Sequence, residues 1–174
     1  NKADQYLRGN AIDNWIAPNI TNDPQAGLGK WSIDDIVQYL KNGQTHSSLA
    51  SGPMKDVIEN STSKMADADL KAMAVYLKER GAAGTPAPAP VQATDPQMVV
   101  GQAIFTDTCS ACHAGNGSGV ERLFPRLSGN PVGKQADFST LVPLILTGAR
   151  APGPPSRPKP PPMPSPPYRL HQPH

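Results

Sequence analysis

Cys109-Ser110-Ala111-Cys112-His113 is the stretch on which the fold turns. It holds both cysteines of the 174-residue chain and one of its four histidines. A C-x-x-C pair can be a redox disulfide, half of a zinc site or a haem attachment. Zinc takes four ligands, and His46, His171 and His174 stand at no recognised zinc spacing from the pair. A thioredoxin-like disulfide follows a strand and opens a helix. This pair instead ends an apparent helix and runs into Ala114-Gly115-Asn116-Gly117-Ser118-Gly119, a loop. With His113 adjoining, the spacing is that of covalent c-type haem. Two thiols add to the vinyl groups on one porphyrin edge, and the next His reaches the iron from the same side. Haem attachment is the favoured reading; zinc and thiol exchange stay as alternatives.

The flanks support it. Asp95-Pro96 reads as N-cap and first residue of a helix. Gly101, Ile104 and Phe105 follow at helical spacing towards Cys109. Beyond the motif, residues 124–130 (Phe-Pro-Arg-Leu-Ser-Gly-Asn) form a loop. A haem-ligating His holds its second ring nitrogen on an acceptor, often a backbone carbonyl. Pro125 is the candidate source of that carbonyl; a simple turn proline is the plainer alternative. An electron carrier adds a sixth ligand, and Met thioether is typical of cytochromes c. Met163, in Pro161-Pro162-Met163-Pro164, lies on an extended Pro-rich segment able to cross a haem face without forming helix. The ligand role is favoured over that of an arbitrary Met in a disordered tail. Met98, on the helix before the motif, reads as core or surface.

Residues 81–93 (Gly-Ala-Ala-Gly-Thr-Pro-Ala-Pro-Ala-Pro-Val-Gln-Ala) carry no charge and alternate Pro with Ala, the composition of a semi-rigid linker. Before it, two helices are expected. Ser32 caps the first in a capping-box arrangement with Asp35. Ile33, Ile36, Val37 and Leu40 form its apolar stripe, and Asn42-Gly43 ends it. The second spans about residues 67–80, with Leu70, Met73, Ala74 and Leu77 on one face. Ser51-Gly52-Pro53-Met54-Lys55 between them reads as a turn presenting a Met, and the opening stretch to Trp31 as loop. After the motif a short apolar helix is expected from about Ser139 to Thr147, closed by Gly148.

Charge excludes some classes. All 14 acidic residues precede Ala151 and face 13 Lys and Arg, so the formal +2 comes from Arg157, Lys159 and Arg169 in the tail. A basic nucleic-acid-binding face is not indicated, and three cations among prolines are weak evidence for anionic lipid. No apolar run approaches the ~18–20 residues that span a bilayer. Asp34-Asp35 and Asp67/Asp69 read as helix-start charges. The 115–119 glycine run is no phosphate loop, because no Lys-Ser/Thr follows it.

Several blocks carry a resemblance: residues 15–21 (Trp-Ile-Ala-Pro-Asn-Ile-Thr), 27–32 (Gly-Leu-Gly-Lys-Trp-Ser), 35–41, Gly52-Pro53-Met54, 66–70, and the haem motif with 124–130 and Met163-Pro164. Together they resemble the tri-haem cytochrome c subunits of membrane-bound bacterial alcohol, gluconate and sorbitol dehydrogenases. In that family three cytochrome c domains follow one another in one periplasmic chain. The resemblance implies an all-α fold of two class I cytochrome c-like domains, both incomplete: residues 1–80, matching the second family domain without its C-x-x-C-H, and 94–150, matching the third. Residues 81–93 link them, and 151–174 form a Pro-rich tail with the Met ligand.

The resemblance makes Cys109 and Cys112 thioether anchors, His113 the proximal and Met163 the distal ligand. It makes Met54 the axial Met of the second-domain haem and Pro18 the carbonyl behind its proximal His. Trp31 and Tyr39 would be packing residues. One covalent haem c is expected on this chain, with a second only if an upstream motif is present. The implied function is electron transfer from a quinoprotein or flavoprotein dehydrogenase subunit towards ubiquinone or an oxidase, with no bond chemistry of its own, at the outer face of the bacterial inner membrane. A free di-haem carrier, a thiol-metal or disulfide protein, and a non-functional fragment are the alternatives.

Two departures bear on this. The first block lacks its haem motif, so the chain reads as a fragment beginning inside a domain. After Met163 the family's closing helix, which packs near Gly101 and Phe105, is replaced by a Pro-rich run. A frame error or truncation near Ala151 to Tyr168 is the expected cause, checked by sequencing the locus.

Overall fold

A computed structural model describes residues 5–12, 15–81, 84–86, 88–121, 123–130, 132–134, 138, 140–154 and 160–165. Ser139, the expected start of the last helix, and the tail cations Arg157, Lys159 and Arg169 lie outside them. The described chain is rich in helix. The expectation of an all-α fold needs one correction: strands β1 (Asn10–Ile12) and β2 (Trp15–Ala17) pair antiparallel, Ala11 opposite Ile16, in the stretch read as loop. Three residues each, the strands are too brief to show as a period-2 pattern.

Helix α1 (Ile33–Asn42) begins as its sequence dictates. The Ser32 hydroxyl accepts the Asp35 N–H at 3.0 Å, and the Ser32 N–H donates to the Asp35 carboxylate at 2.9 Å. Gly43 ends it in the left-handed region at φ 74°, its N–H on the Tyr39 carbonyl. The Pro53 turn is in fact the first residue of a helix, α2 (Pro53–Asn60), which places Met54 on a helix start. Pro at the first position has no N–H to lose there. Helix α3 (Asp67–Glu79) follows.

The apolar stripes of α1 and α3 meet. Ile36 and Leu40 pack on Leu70 and Ala74, all buried, with Leu28, Trp31, Ile33, Val37, Met54, Met65 and Leu77 around them. Fully burying a Leu or Ile contributes about 1.5–3 kcal/mol, so this cluster is the main apolar store of the fold. Polar links close its edges. Lys41 Nζ donates to the Met65 carbonyl at 2.7 Å and pairs with Asp67 at 2.9 Å. The Thr62 hydroxyl donates to the Leu40 carbonyl at 2.6 Å, satisfying an acceptor at the end of α1.

The second half is built differently. Helix α4 (Pro96–Ile104) has Asp95 as N-cap, accepting the Gln97 N–H at 2.8 Å. It runs into a π-helical turn, Phe105–Cys109, and then α5 (Ser110–His113). The sequence predicts uninterrupted helix here. One extra residue per turn rotates everything after it by about 100°, which re-aims the Cys-His segment relative to α4. Helix α6 (Leu141–Thr147) carries Pro143 in its first turn and ends at Gly148. Neither α4 nor α6 has a buried residue.

The halves are joined by hydrogen bonds. Asn130 Nδ2 donates to the Ser47 carbonyl at 2.9 Å, Thr140 Oγ1 to the Ile16 carbonyl at 3.1 Å, and the Gly153 N–H to Glu59 at 2.8 Å. The Thr85 N–H and hydroxyl, within the linker stretch, both donate to the buried Asp23 carboxylate.

Candidate haem site

Helix α5 carries Cys112 and His113 in one short turn, with Cys109 at the end of the π-helical turn before it. Both thiols are unpaired and half-buried. Burial first, and the neighbouring Cys112 second, push the Cys109 thiol above its ordinary value. His113 is buried, 7% exposed. Its Nδ1 lies 3.0 Å from the Pro125 carbonyl oxygen. A carbonyl can only accept, so Nδ1–H donates and Nε2 is left as the lone-pair nitrogen. The Phe124 ring stands edge-on to the imidazole at 6.5 Å.

Local backbone explains how Pro125 arrives there. Helix α5 stops at Ala114, a non-glycine residue at φ 61°, ψ 153°. That region belongs almost wholly to Gly, and strain of this kind gathers at functional sites. The chain then folds back. Gly119 donates its N–H to the His113 carbonyl at 2.8 Å, and Val120 and Phe124 exchange both backbone bonds, at 2.9 and 2.8 Å. Gly119 sits at φ +68°, and a Cβ on it would collide with the Phe124 carbonyl oxygen and with Pro125. The glycine read as part of a flexible loop is therefore what lets the Phe124-Pro125 segment lie against the haem-motif helix. The composition of the loop gave no signal for this; a left-handed glycine opposite a proline is visible only once the return strand is placed.

Met163, half-buried, exchanges both backbone hydrogen bonds with Ala149, at 3.0 and 2.8 Å, just beyond α6. Gly148 makes that approach possible, since a Cβ there would meet the Met163 carbonyl oxygen at 2.5 Å. The other two site candidates belong to the first half. Met54 packs against the α1–α3 core. Pro18 is exposed and lines, with Tyr6, Leu7, Gly9, Asn10 and Ala17, an open cleft of about 630 Å³. The Trp15 ring lies on Gly52, next to the Pro53-Met54 pair, so β2 and the start of α2 are neighbours. The structure thus sets Pro125 on His113, beside the turn that carries Cys109 and Cys112, while Met163 lies against Ala149, Met54 on the α1–α3 core and Pro18 in the cleft at the strands.

The donor set fits covalently attached haem. Two free thiols lie three residues apart beside an imidazole whose Nδ1 is engaged and whose Nε2 is available. Among the described residues no group of three or more His, Cys, Asp or Glu is placed to hold a metal ion directly, so the zinc alternative finds no ligand cluster there.

A thiol pair, an adjacent imidazole and a backbone-held ring are the features that covalent attachment of a haem calls for. Residues 98–172 match the cytochrome c family. Over most of its length the chain also resembles named cytochrome subunits of dehydrogenases. It is 38% identical, across 88% of its own length, to the cytochrome c subunit of the quinone alcohol dehydrogenase of Gluconobacter oxydans. It is 35% identical across 97% of its length to the gluconate 2-dehydrogenase cytochrome c subunit of Pantoea cypripedii. The fructose dehydrogenase cytochrome subunit of Gluconobacter japonicus is 36% identical across 82% of the chain. The chain spans about a third of the length of these relatives, from 34% to 41%. Among the described residues no helix is long and apolar enough to cross a membrane.

Proposed function

We propose that this chain carries electrons through a haem c attached at Cys109 and Cys112, as part of a cytochrome c subunit serving a membrane-bound dehydrogenase. The observation that carries the reading is the His113 Nδ1 to Pro125 carbonyl bond of 3.0 Å. It fixes the ring and its tautomer, and a proximal ligand so held is more basic and cannot rotate off the iron. The bound group supplies one-electron chemistry at iron, and the protein sets its potential through ligands, burial and hydrogen bonds. Cys109 and Cys112 would tether the group, His113 would hold its iron through Nε2, and Met163 would supply the second iron ligand from the protein. Met54 and Pro18 would be the axial Met and the carbonyl behind the proximal His of a second haem, if an upstream attachment motif is present.

Two cytochrome c-like domains, residues 1–80 and 94–150 with the Met segment, joined by 81–93, are the organisation that goes with this reading. The partner is a quinoprotein or flavoprotein dehydrogenase subunit, and electrons leave towards ubiquinone or an oxidase. Covalent attachment takes place on exported apoprotein, which puts the chain in the bacterial periplasm, at the outer face of the inner membrane.

The test is a reduced-minus-oxidised spectrum of the chain co-expressed with a c-type maturation system, with haem counted per chain. One covalent haem and a weak sulfur-to-iron band in the oxidised form are expected. Covalent haem without the band would remove Met163 but keep the tether. No covalent haem would defeat the electron-transfer reading of this chain.

A further inference from the structure

We propose that the first half of the chain positions the distal ligand of the second, through Glu59 and the seat of Pro152 on Gly43. The proposal rests on Met163 being that ligand. The helix that precedes the Pro-rich segment, α6, buries no residue, and Pro lacks the N–H that regular pairing uses. Its fixings come from α1 and α2. Pro152 is under 2% exposed, and its ring lies so close over Gly43, the C-cap of α1, that any Cβ on Gly43 would overlap it. The next residue, Gly153, donates its N–H to Glu59 Oε1 at 2.8 Å. Glu59 is itself steadied by Lys55, 3.0 Å away and one helical turn earlier on α2.

Four residues before Gly153, Ala149 holds Met163 by two backbone hydrogen bonds. Gly148 is backed against Met163, Pro164 and Ser165. Glu59, Gly153, Ala149 and Met163 therefore form one short lever from α2 to the backbone of Met163. A thioether is a weak ligand, so its hold on iron depends on how little the loop must be ordered when it binds. Fastening the lever to the other half does that ordering in advance. Glu59 and Pro152 are positioning residues.

The experiment uses the whole chain. Hydrogen exchange at the Met163 amide is followed in apo-protein. Midpoint potential and the sulfur-to-iron band are followed after haem attachment. Glu59→Ala and Pro152→Ala are each expected to speed Met163 amide exchange about tenfold, weaken the band and lower the potential. Amides of α1 and α3 should exchange unchanged, which shows that the fold is intact. Glu59→Gln keeps a carbonyl oxygen for Gly153 and is expected to restore all three readouts. If Met163→Leu loses the band while the Glu59 and Pro152 variants match wild type, the positioning role is wrong and the ligand stands. If Met163→Leu keeps the band, the ligand reading fails and the positioning role falls with it. Unaltered Met163 amide exchange in the Glu59→Ala apo-protein overturns the lever without reference to haem.

Discussion

The two halves of this chain are held together by opposite means. In residues 15–81 two amphipathic helices bury Ile36, Leu40, Leu70 and Ala74 against each other, and polar contacts only trim the edges. In residues 94–165 neither α4 nor α6 buries a side chain, and Met98, Val99, Val100 and Ile104 are exposed. Its contacts are backbone bonds around His113 and between Ala149 and Met163, the seat of Pro152 on Gly43, and hydrogen bonds to the first half. The first half has its own apolar core without a haem motif; the second has the motif and, among the described residues, no buried side chain on α4 or α6. Folding of the second half is therefore expected to be coupled to attachment, since anything that binds the folded form alone stabilises it by mass action.

The largest effect should come from breaking the tether. Replacing Cys109 and Cys112 together by Ser is expected to abolish covalent haem. Amide protection at Gly119 and Phe124 should then fall to that of a frayed segment, while α1 and α3, and the Met163 amide that Ala149 and the first half hold, keep theirs. Equal loss in both halves, read by hydrogen exchange, would mean the halves fold as one unit and the contrast is false. The converse variant is Leu70→Ala. It removes a fully buried side chain from the α1–α3 interface and should cost about 2–5 kcal/mol of first-half stability. Denaturant unfolding of the holo chain, watched by helix content and by haem absorbance, should then show two transitions, with only the first one shifted.

The same contrast explains what the sequence disclosed. The capping box at Ser32 and Asp35, the stripe of α1 and the Gly43 stop are short-range features, and they stand in the structure as read. Asp95-Pro96 is equally local. The Cys-Cys-His spacing is local too, and so the haem motif was legible. The features that went unread all depend on residues distant in sequence. The β1–β2 hairpin gains its place from neighbours such as Gly52 under Trp15. The α2 helix has Gly at its N-cap and no side-chain cap bond to announce it. Gly119 matters because Phe124 and Pro125 return over it. Asp23 lies in the opening stretch read as loop, and its partner Thr85 is 62 residues away. Pro125 differs from these: the need of a His for an acceptor points across 12 residues to a carbonyl that lies 3.0 Å from His113 Nδ1.

Asp23 sharpens the comparison at the junction of the halves. Burial raises its pKa, but donation from the Thr85 hydroxyl and from the Ala26, Gln25 and Thr85 N–H groups outweighs it, and the carboxyl sits at about 2. An unfolded Asp titrates near 3.9. A folded pKa below the unfolded one means the carboxylate stabilises the fold fully above about pH 4, and that this contribution is lost as pH falls towards 2. Asp23→Asn has one carbonyl oxygen where the carboxylate has two acceptors, so donors are left unpaired at a cost of about 1–3 kcal/mol. The variant should also flatten the stability profile between pH 4 and 2. A profile as steep as wild type in that window would show that Asp23 does not titrate with folding. Faster proteolysis of the linker in the variant at neutral pH is the companion expectation, since Thr85 is what Asp23 holds.

The smallest effect compares two helix caps of similar chemistry in unlike surroundings. Ser32 caps α1, whose face is buried; Asp95 caps α4, whose face is not. In isolation each cap, replaced by Ala, costs about 1 kcal/mol. How far that cost spreads depends on what the helix is packed against. Loosening the first turn of α1 disturbs the setting of Ile36 and Leu40, so Ser32→Ala should lower the global stability of the first half by the full amount. Loosening α4 disturbs no buried neighbour, so Asp95→Ala should raise exchange at Gln97 and Val99 and leave the unfolding midpoint of the first half where it was. Equal shifts in that midpoint would mean that α4 is energetically coupled to α1 and α3, and that the apolar face of α4 does not stand apart from the core as its exposure indicates.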